Sequence, residues 1–255
     1  MTANDFYRYF IRCAWPGRAE SPASIGRKFI QTLDDLRKID PVLGEWGIGD
    51  NRTYTGIPLE DSRYNIESIV ENNVILDDYG DPSPDEGYHL IGINSRLENP
   101  LVNSRSVSFK VDAGSKWRNE AEFRIGDFDI AADPSILTYH LFKNALSVIT
   151  THWPCPWATA SAFKSEYWKS SSAPGIPPMP YSKFHLAWIG YLSAPLAVGF
   201  TPPPSLLSER TPDEGWLISA VDTRLDPTDP QHMTRSRQLV ELMIERTGEI
   251  STRRG

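Results

Sequence analysis

The chain has 255 residues, 40% of them hydrophobic, with 8 Trp, 10 Tyr and 10 Phe spread along its length, enough to bury one sizeable core or two small adjoining ones and to exclude wholesale disorder. A net charge of −7 argues against a nucleic-acid partner, because neutralising phosphates requires a surplus of Lys and Arg. Two cysteines, Cys13 and Cys155, are too few for a disulfide scaffold.

Met1 to Asp5 leads straight into Phe6-Tyr7-Arg8-Tyr9-Phe10, without the basic and apolar regions of an export signal. The stretch from Phe184 to Phe200 is interrupted by Pro195 and falls short of the roughly 20 apolar residues that span a bilayer. A cytoplasmic location and no membrane partner are therefore expected. Asp5 to Cys13 alternates aromatic and polar residues and predicts a strand. Ser21-Pro22 has the form of an N-cap and first helical residue, and Ile25, Phe29, Leu33 and Leu36 follow at helical spacing up to Asp40-Pro41. A second helix is predicted from Glu60 to Asn72, with Tyr64, Ile66, Ile69 and Val70 as its apolar positions.

Asp81-Pro82-Ser83-Pro84-Asp85-Glu86-Gly87 combines turn formers with charge and predicts an exposed loop. Strands are predicted at Tyr88 to Asn94, Val107 to Ala113 and Ala121 to Ile130, able to pair as an antiparallel meander. Pro134 opens a helical stretch carrying Leu137, Leu141, Leu146 and Ile149, ended by Trp153-Pro154. Strands follow at Trp157 to Phe163 and Phe184 to Leu192, separated by a Pro- and Ser-rich crossing loop from Ser170 to Ser182. Trp216 to Val221 reads as a buried strand, Asp229-Pro230 caps a last helix with Met233, Leu239, Val240, Met243 and Ile244, and Arg253 to Gly255 should fray. The expected fold class is α+β: two packed subdomains, residues 1–130 and 131–255, each a small, mostly antiparallel sheet with one or two helices.

No constellation of catalytic residues emerges. The five histidines, His89, His140, His152, His185 and His232, are too scattered for a metal motif, and His140 and His152 lie more than three helical turns apart. Cys155, between Pro154 and Pro156, reads as a small buried hydrophobe, since no base at family spacing marks it as a nucleophile. Gly44 to Asp50 lacks the ending of a phosphate-binding loop and reads as a turn. Asp77-x-Tyr79-x-Asp81 departs from a calcium loop at its sixth and twelfth positions, Pro82 and Tyr88. Neither a metal nor another cofactor is expected, and the chain is not read as an enzyme.

The charge itself is segregated. From Tyr64 to Ser95 there are seven acids and no Lys or Arg, while the other 26 acids balance all 26 bases. A solvated helix end and loop would account for this, but concentrated charge of one sign also speeds encounter with an oppositely charged partner. Asp77, Asp78, Asp81, Asp85 and Glu86 are the candidate partner-binding residues. A nucleic-acid-degrading toxin, basic around its substrate groove, would fit them.

Several segments resemble the bacterial polymorphic-toxin antidotes known as immunity protein 52. These are Trp15-Pro16-Gly17-Arg18-Ala19-Glu20-Ser21 with the helix to Leu36 and Glu45-Trp46, then Trp188-Ile189-Gly190-Tyr191-Leu192-Ser193, Asp213-Glu214-Gly215-Trp216, and Asp226 to His232. Where that family carries Tyr-Trp-Gly before Arg-x-Glu, this chain has Ala14-Trp15-Pro16-Gly17. The resemblance implies a cytoplasmic immunity protein that binds a cognate, nuclease-like type VI secretion effector one to one, with a monomer favoured. It assigns no binding residues. The alternatives are a hydrolase with an unrecognised site, for which Glu166, His185 and Cys155 would come first, and a self-assembling scaffold component of the secretion machinery.

Overall fold

Alternation in the first predicted strand does produce β1 (Tyr7–Pro16), which runs three residues past Cys13 because Ala14, Trp15 and Pro16 pair with Glu120, Asn119 and Arg118. A computed structural model describes residues 6–49, 56–94, 104–126, 130–164 and 186–248. The other strands are β2 (Gly47–Gly49), β3 (Gly56–Pro58), β4 (Tyr88–Ile93), β5 (Val107–Ala113), β6 (Arg118–Ile125), β7 (Trp157–Lys164), β8 (Leu186–Leu192), β9 (Leu207–Arg210) and β10 (Trp216–Ser219). They form one antiparallel ten-stranded sheet in the order β3-β2-β4-β5-β6-β1-β7-β8-β10-β9. The fold is mixed α+β, with the predicted meander present as β4-β5-β6.

One continuous sheet replaces the small sheet expected in each half. The reason is β1, which bonds to β6 on one edge and β7 on the other, so strands from before and after residue 130 meet across it. Register places Tyr9, Ile11 and Cys13 of β1 beside Ile125, Phe123 and Ala121 of β6 and beside Ala162, Ala160 and Ala158 of β7. Helices α1 (Pro22–Leu36) and α4 (Tyr139–His152) cover this face: Phe29 stacks on Phe109 with ring centroids 5.6 Å apart, and Phe142 meets Phe123 edge-on at 6.1 Å. The alanines of β7 leave room for α4 to approach. The opposite face at the C-terminal end is covered by α6 (Pro230–Thr247), whose Leu239 and Met243 sit over Gly190 of β8. A Cβ at Gly190 would come within 2.8 Å of the Met243 sulfur. The short α5 (Ala194–Ala197) follows β8. No described helix is long and apolar enough to cross a membrane.

Side-chain caps start the three long helices. Ser21 caps α1 by accepting from the Ser24 amide, and Asp229 caps α6 by accepting from the Gln231 and His232 amides. The predicted helix from Glu60 to Asn72 is interrupted: α2 (Leu59–Ser62), a 3₁₀ turn at Arg63–Asn65, then α3 (Ile66–Asn72). There Arg63 turns back to clasp Asp34 of α1 through two hydrogen bonds of 2.6 and 2.9 Å, and Tyr64 is expelled to solvent rather than buried. Ile66 and Val70 pack onto Gly26 of α1, where a Cβ would lie 2.7 Å from the Ile66 side chain.

Other boundaries move as well. The Gly44–Asp50 turn contains β2, because β4 supplies a ladder that no local pattern announces. β6 stops at Ile125, where Gly126 turns the backbone to φ +79°. α4 starts at Tyr139, capped by Thr138, while Pro134 belongs to a preceding turn. The crossing loop at 170–182 and the C-terminal 253–255 lie outside the described residues.

Ile11 is fully buried between Phe123 and Ala160. Ile11→Ala should lower unfolding free energy by about 2–5 kcal/mol. Chemical denaturation measures this, and a loss under about 1 kcal/mol would contradict the central placement of β1.

Candidate protein-binding surface

Residues 73–87 fold back on themselves as a narrow arm between α3 and β4. The Ile75 amide donates to the Gly87 carbonyl, the Ser83 amide to the Ile75 carbonyl and the His89 amide to the Asn73 carbonyl, so the arm prolongs the edge of the β4 ladder. Single bridges at Val74–Tyr88 and Leu76–Pro82 complete it. At its tip, the Asp77 carboxylate accepts from the amides of Tyr79 (2.9 Å) and Asp81 (3.0 Å), and Gly80 takes φ +88°. At its base, Gly87 has φ +90° and a Cβ there would collide with the Ala113 carbonyl at 2.6 Å, so only glycine lets the arm seat against β5.

A second anchor lies in the turn between β5 and β6. The Lys116 amide donates to the Asp85 carbonyl at 2.9 Å and its ammonium pairs with the Asp85 carboxylate at 2.8 Å. Of the five predicted residues, Asp77 and Asp85 therefore hold the arm in shape. Asp78, Asp81 and Glu86 make no ion pair among the described residues, and Asp78 and Asp81 are exposed. All five are on the same arm. Glu67 and Glu71, also exposed, extend the acidity along α3.

The structure adds large apolar groups to this charge. Tyr79 at the arm's tip is 92% exposed and Leu76 is 50% exposed, while Trp117, next to the Lys116 anchor, is 71% exposed. Tyr64, just before α3, is 92% exposed. Rigid aromatics that stand in water are the side chains that most often carry binding energy once a partner desolvates them. Sequence patterning missed them, since an aromatic residue defaults to the core; the available signal was that Tyr79 and Trp117 sit in turn-forming stretches among charges.

The groups considered for chemistry go elsewhere. His89 contacts Asp112 across β4 and β5; burial pushes the Asp112 carboxyl up, but the His89 hydrogen bond and nearby Lys110 and Arg12 outweigh it and hold the carboxyl below its ordinary range. His152 pairs with Asp35 at 2.8 Å, and His232 Nδ1 accepts from the Asp226 amide at 3.0 Å. Cys155 faces Cys13 rather than a histidine, and burial pushes its thiol well above the usual value. Glu166 and His185 lie outside the described residues. No group of three or more metal-ligating side chains occurs among the described residues.

No family model matches the sequence, and no curated protein matches it. Among solved structures, the Pseudomonas aeruginosa T6SS protein PA0821 is similar, with a TM-score of 0.54 and 11% identity over 93% of this chain and 73% of that one. At that identity the likeness is one of fold.

Because the arm is held by Asp85 and Lys116, Lys116→Ala should speed amide hydrogen exchange at Ile75 and Ser83 while changing global stability by less than about 1 kcal/mol, the pair being half exposed. Unchanged exchange at both amides would show that the ion pair does not restrain the arm.

Proposed function

We propose that this protein is an immunity protein that neutralises a cognate secreted toxin, a nuclease-like type VI secretion effector, by direct one-to-one binding in the producer's cytoplasm. The observation that carries the reading is the anchored arm, which presents exposed Asp78 and Asp81 beside a 92% exposed Tyr79 at its tip and a half-buried Glu86, unpaired among the described residues, at its base, with Trp117 at its anchoring turn. A nuclease must be basic where it holds nucleic acid, so an acidic surface with preorganised aromatic anchors complements it in charge. The resemblance of Trp15–Ser21, Trp188–Ser193 and Asp213–Trp216 to immunity protein 52 supports the same reading, as does a fold similar to that of a T6SS protein.

Binding then divides into two parts. The acids draw the toxin in and reject partners of the same sign; Tyr79 and Trp117 supply contact area that keeps the complex together. Holding the arm rigid before the encounter lowers the ordering cost of association.

Co-expression with the toxin encoded beside it should rescue growth and yield a one-to-one complex on size exclusion; continued killing with no complex would refute the reading. Replacing Asp78, Asp81 and Glu86 together by Lys should slow association about tenfold or more at low salt, with the difference shrinking as salt rises. Tyr79→Ala or Trp117→Ala should instead speed dissociation and cost about 2 kcal/mol or more of affinity. Stopped-flow and surface-immobilised binding kinetics separate these effects, and rates unchanged by all the substitutions would move the interface off the arm.

A further inference from the structure

Cys13 and Cys155 are separated by 142 residues in sequence, yet their sulfurs lie 2.7 Å apart in the core. That is well inside ordinary non-bonded contact, which is about 3.5–4.0 Å even for carbon, and approaches the roughly 2.05 Å of a disulfide bond. Both residues are buried and both are thiols.

The surroundings hold the two sulfurs in place. Cys13 is an interior residue of β1, paired with Ala121 on one side and Ala158 on the other. Cys155 sits in the short link from α4 to β7, where its amide donates to the Trp153 carbonyl at 2.7 Å and prolines flank it on both sides. The Ser193 amide fixes the next residue by donating to the Pro156 carbonyl at 2.9 Å. Trp15 and Trp153 close the corner with ring centroids 5.5 Å apart, and the Trp153 indole donates to the Thr32 hydroxyl at 3.0 Å. The two backbone segments that carry the sulfurs are thus held in place.

We propose that Cys13 and Cys155 form a disulfide when the chain folds in the presence of a small disulfide oxidant, and that folding in a reducing compartment seals them as thiols. One cysteine thiolate attacks the oxidant, releasing one thiol and leaving a mixed disulfide; the second thiolate displaces the other half as a second thiol. The protein sulfurs lose two electrons, which reduce the oxidant's sulfur–sulfur bond, and the two protons end on the released thiols. In the folded protein this route is closed, because no oxidant reaches the pair and burial keeps the Cys155 thiol protonated. The redox state therefore records the compartment in which folding took place. The bond would tie the central strand to the segment that starts the second half of the sheet. This inference is independent of toxin binding.

The test uses the wild-type chain, unfolded with reductant and then refolded either into a buffer of oxidised and reduced glutathione or into excess reductant. The first sample should carry no thiol titratable in denaturant, have an intact mass lower by two hydrogens, and give a peptide joining Cys13 to Cys155. The second, once folded and moved into the glutathione buffer, should keep both thiols far longer than the unfolded chain does. A Cys13→Ala, Cys155→Ala chain checks that the thiol titration reads these two positions. Two titratable thiols after oxidative refolding, or glutathione adducts in place of the cross-link, would overturn the proposal.

Discussion

Everything else in this molecule is arranged around β1. Its two edges are both hydrogen-bonded, to β6 and to β7, and its residues Tyr9, Ile11 and Cys13 supply the middle of the apolar face on which α1 and α4 rest. Without this strand, those on either side of it would not be joined into one sheet. The pairing with β7 spans some 150 residues of chain, and such contacts repay their loop-closure entropy late. The acidic arm inherits its position from the same ladder, because β4 reaches β1 through β5 and β6, and the arm continues β4 outward.

That inheritance links fold to proposed function. An acidic loop free to move would attract a basic partner but would lose affinity on being ordered. Here the order is already present: Gly87 seats the base, Asp85 and Lys116 pin the arm to the β5–β6 turn, and Asp77 locks the tip by bonding two of its own amides. Asp78 and Asp81, the chain neighbours of Tyr79 and Gly80, are left exposed and without an ion-pair partner among the described residues. The Lys116 ammonium offsets the charge of Asp85 alone, so the electrostatic attraction comes from Asp77, Asp78, Asp81, Glu86 and the nearby Glu67 and Glu71.

How much of this was legible in the sequence follows from where each signal is stored. β5 was read correctly to the residue because its buried Val107, Phe109, Val111 and Ala113 alternate with half-buried Ser108, Lys110 and Asp112. α1 was read because cap and apolar spacing agree, from Ser21 to Leu36. β9 was invisible: all four of its residues are exposed, so no alternation marks an edge strand defined only by its pairing with β10. β2 was hidden for a related reason, since Gly-Ile-Gly has no strand preference apart from β4. The union of the halves into one sheet rests on which strand β1 pairs with, and that is a long-range property. In the surface, acidity could be counted from composition, but the pairing of Asp85 with Lys116 and the exposure of Tyr79 and Trp117 are tertiary facts.

Toxin binding is proposed to fall on the arm and the β5–β6 turn together. Hydrogen exchange compared between the free protein and its purified complex with the toxin tests it most directly. The account predicts slowed exchange at residues 76–81 and at 115–118 on binding, with β9 and the outer side of α6 unaffected. Slowing confined to β9 and α6, with the arm exchanging as freely in the complex as alone, would contradict it.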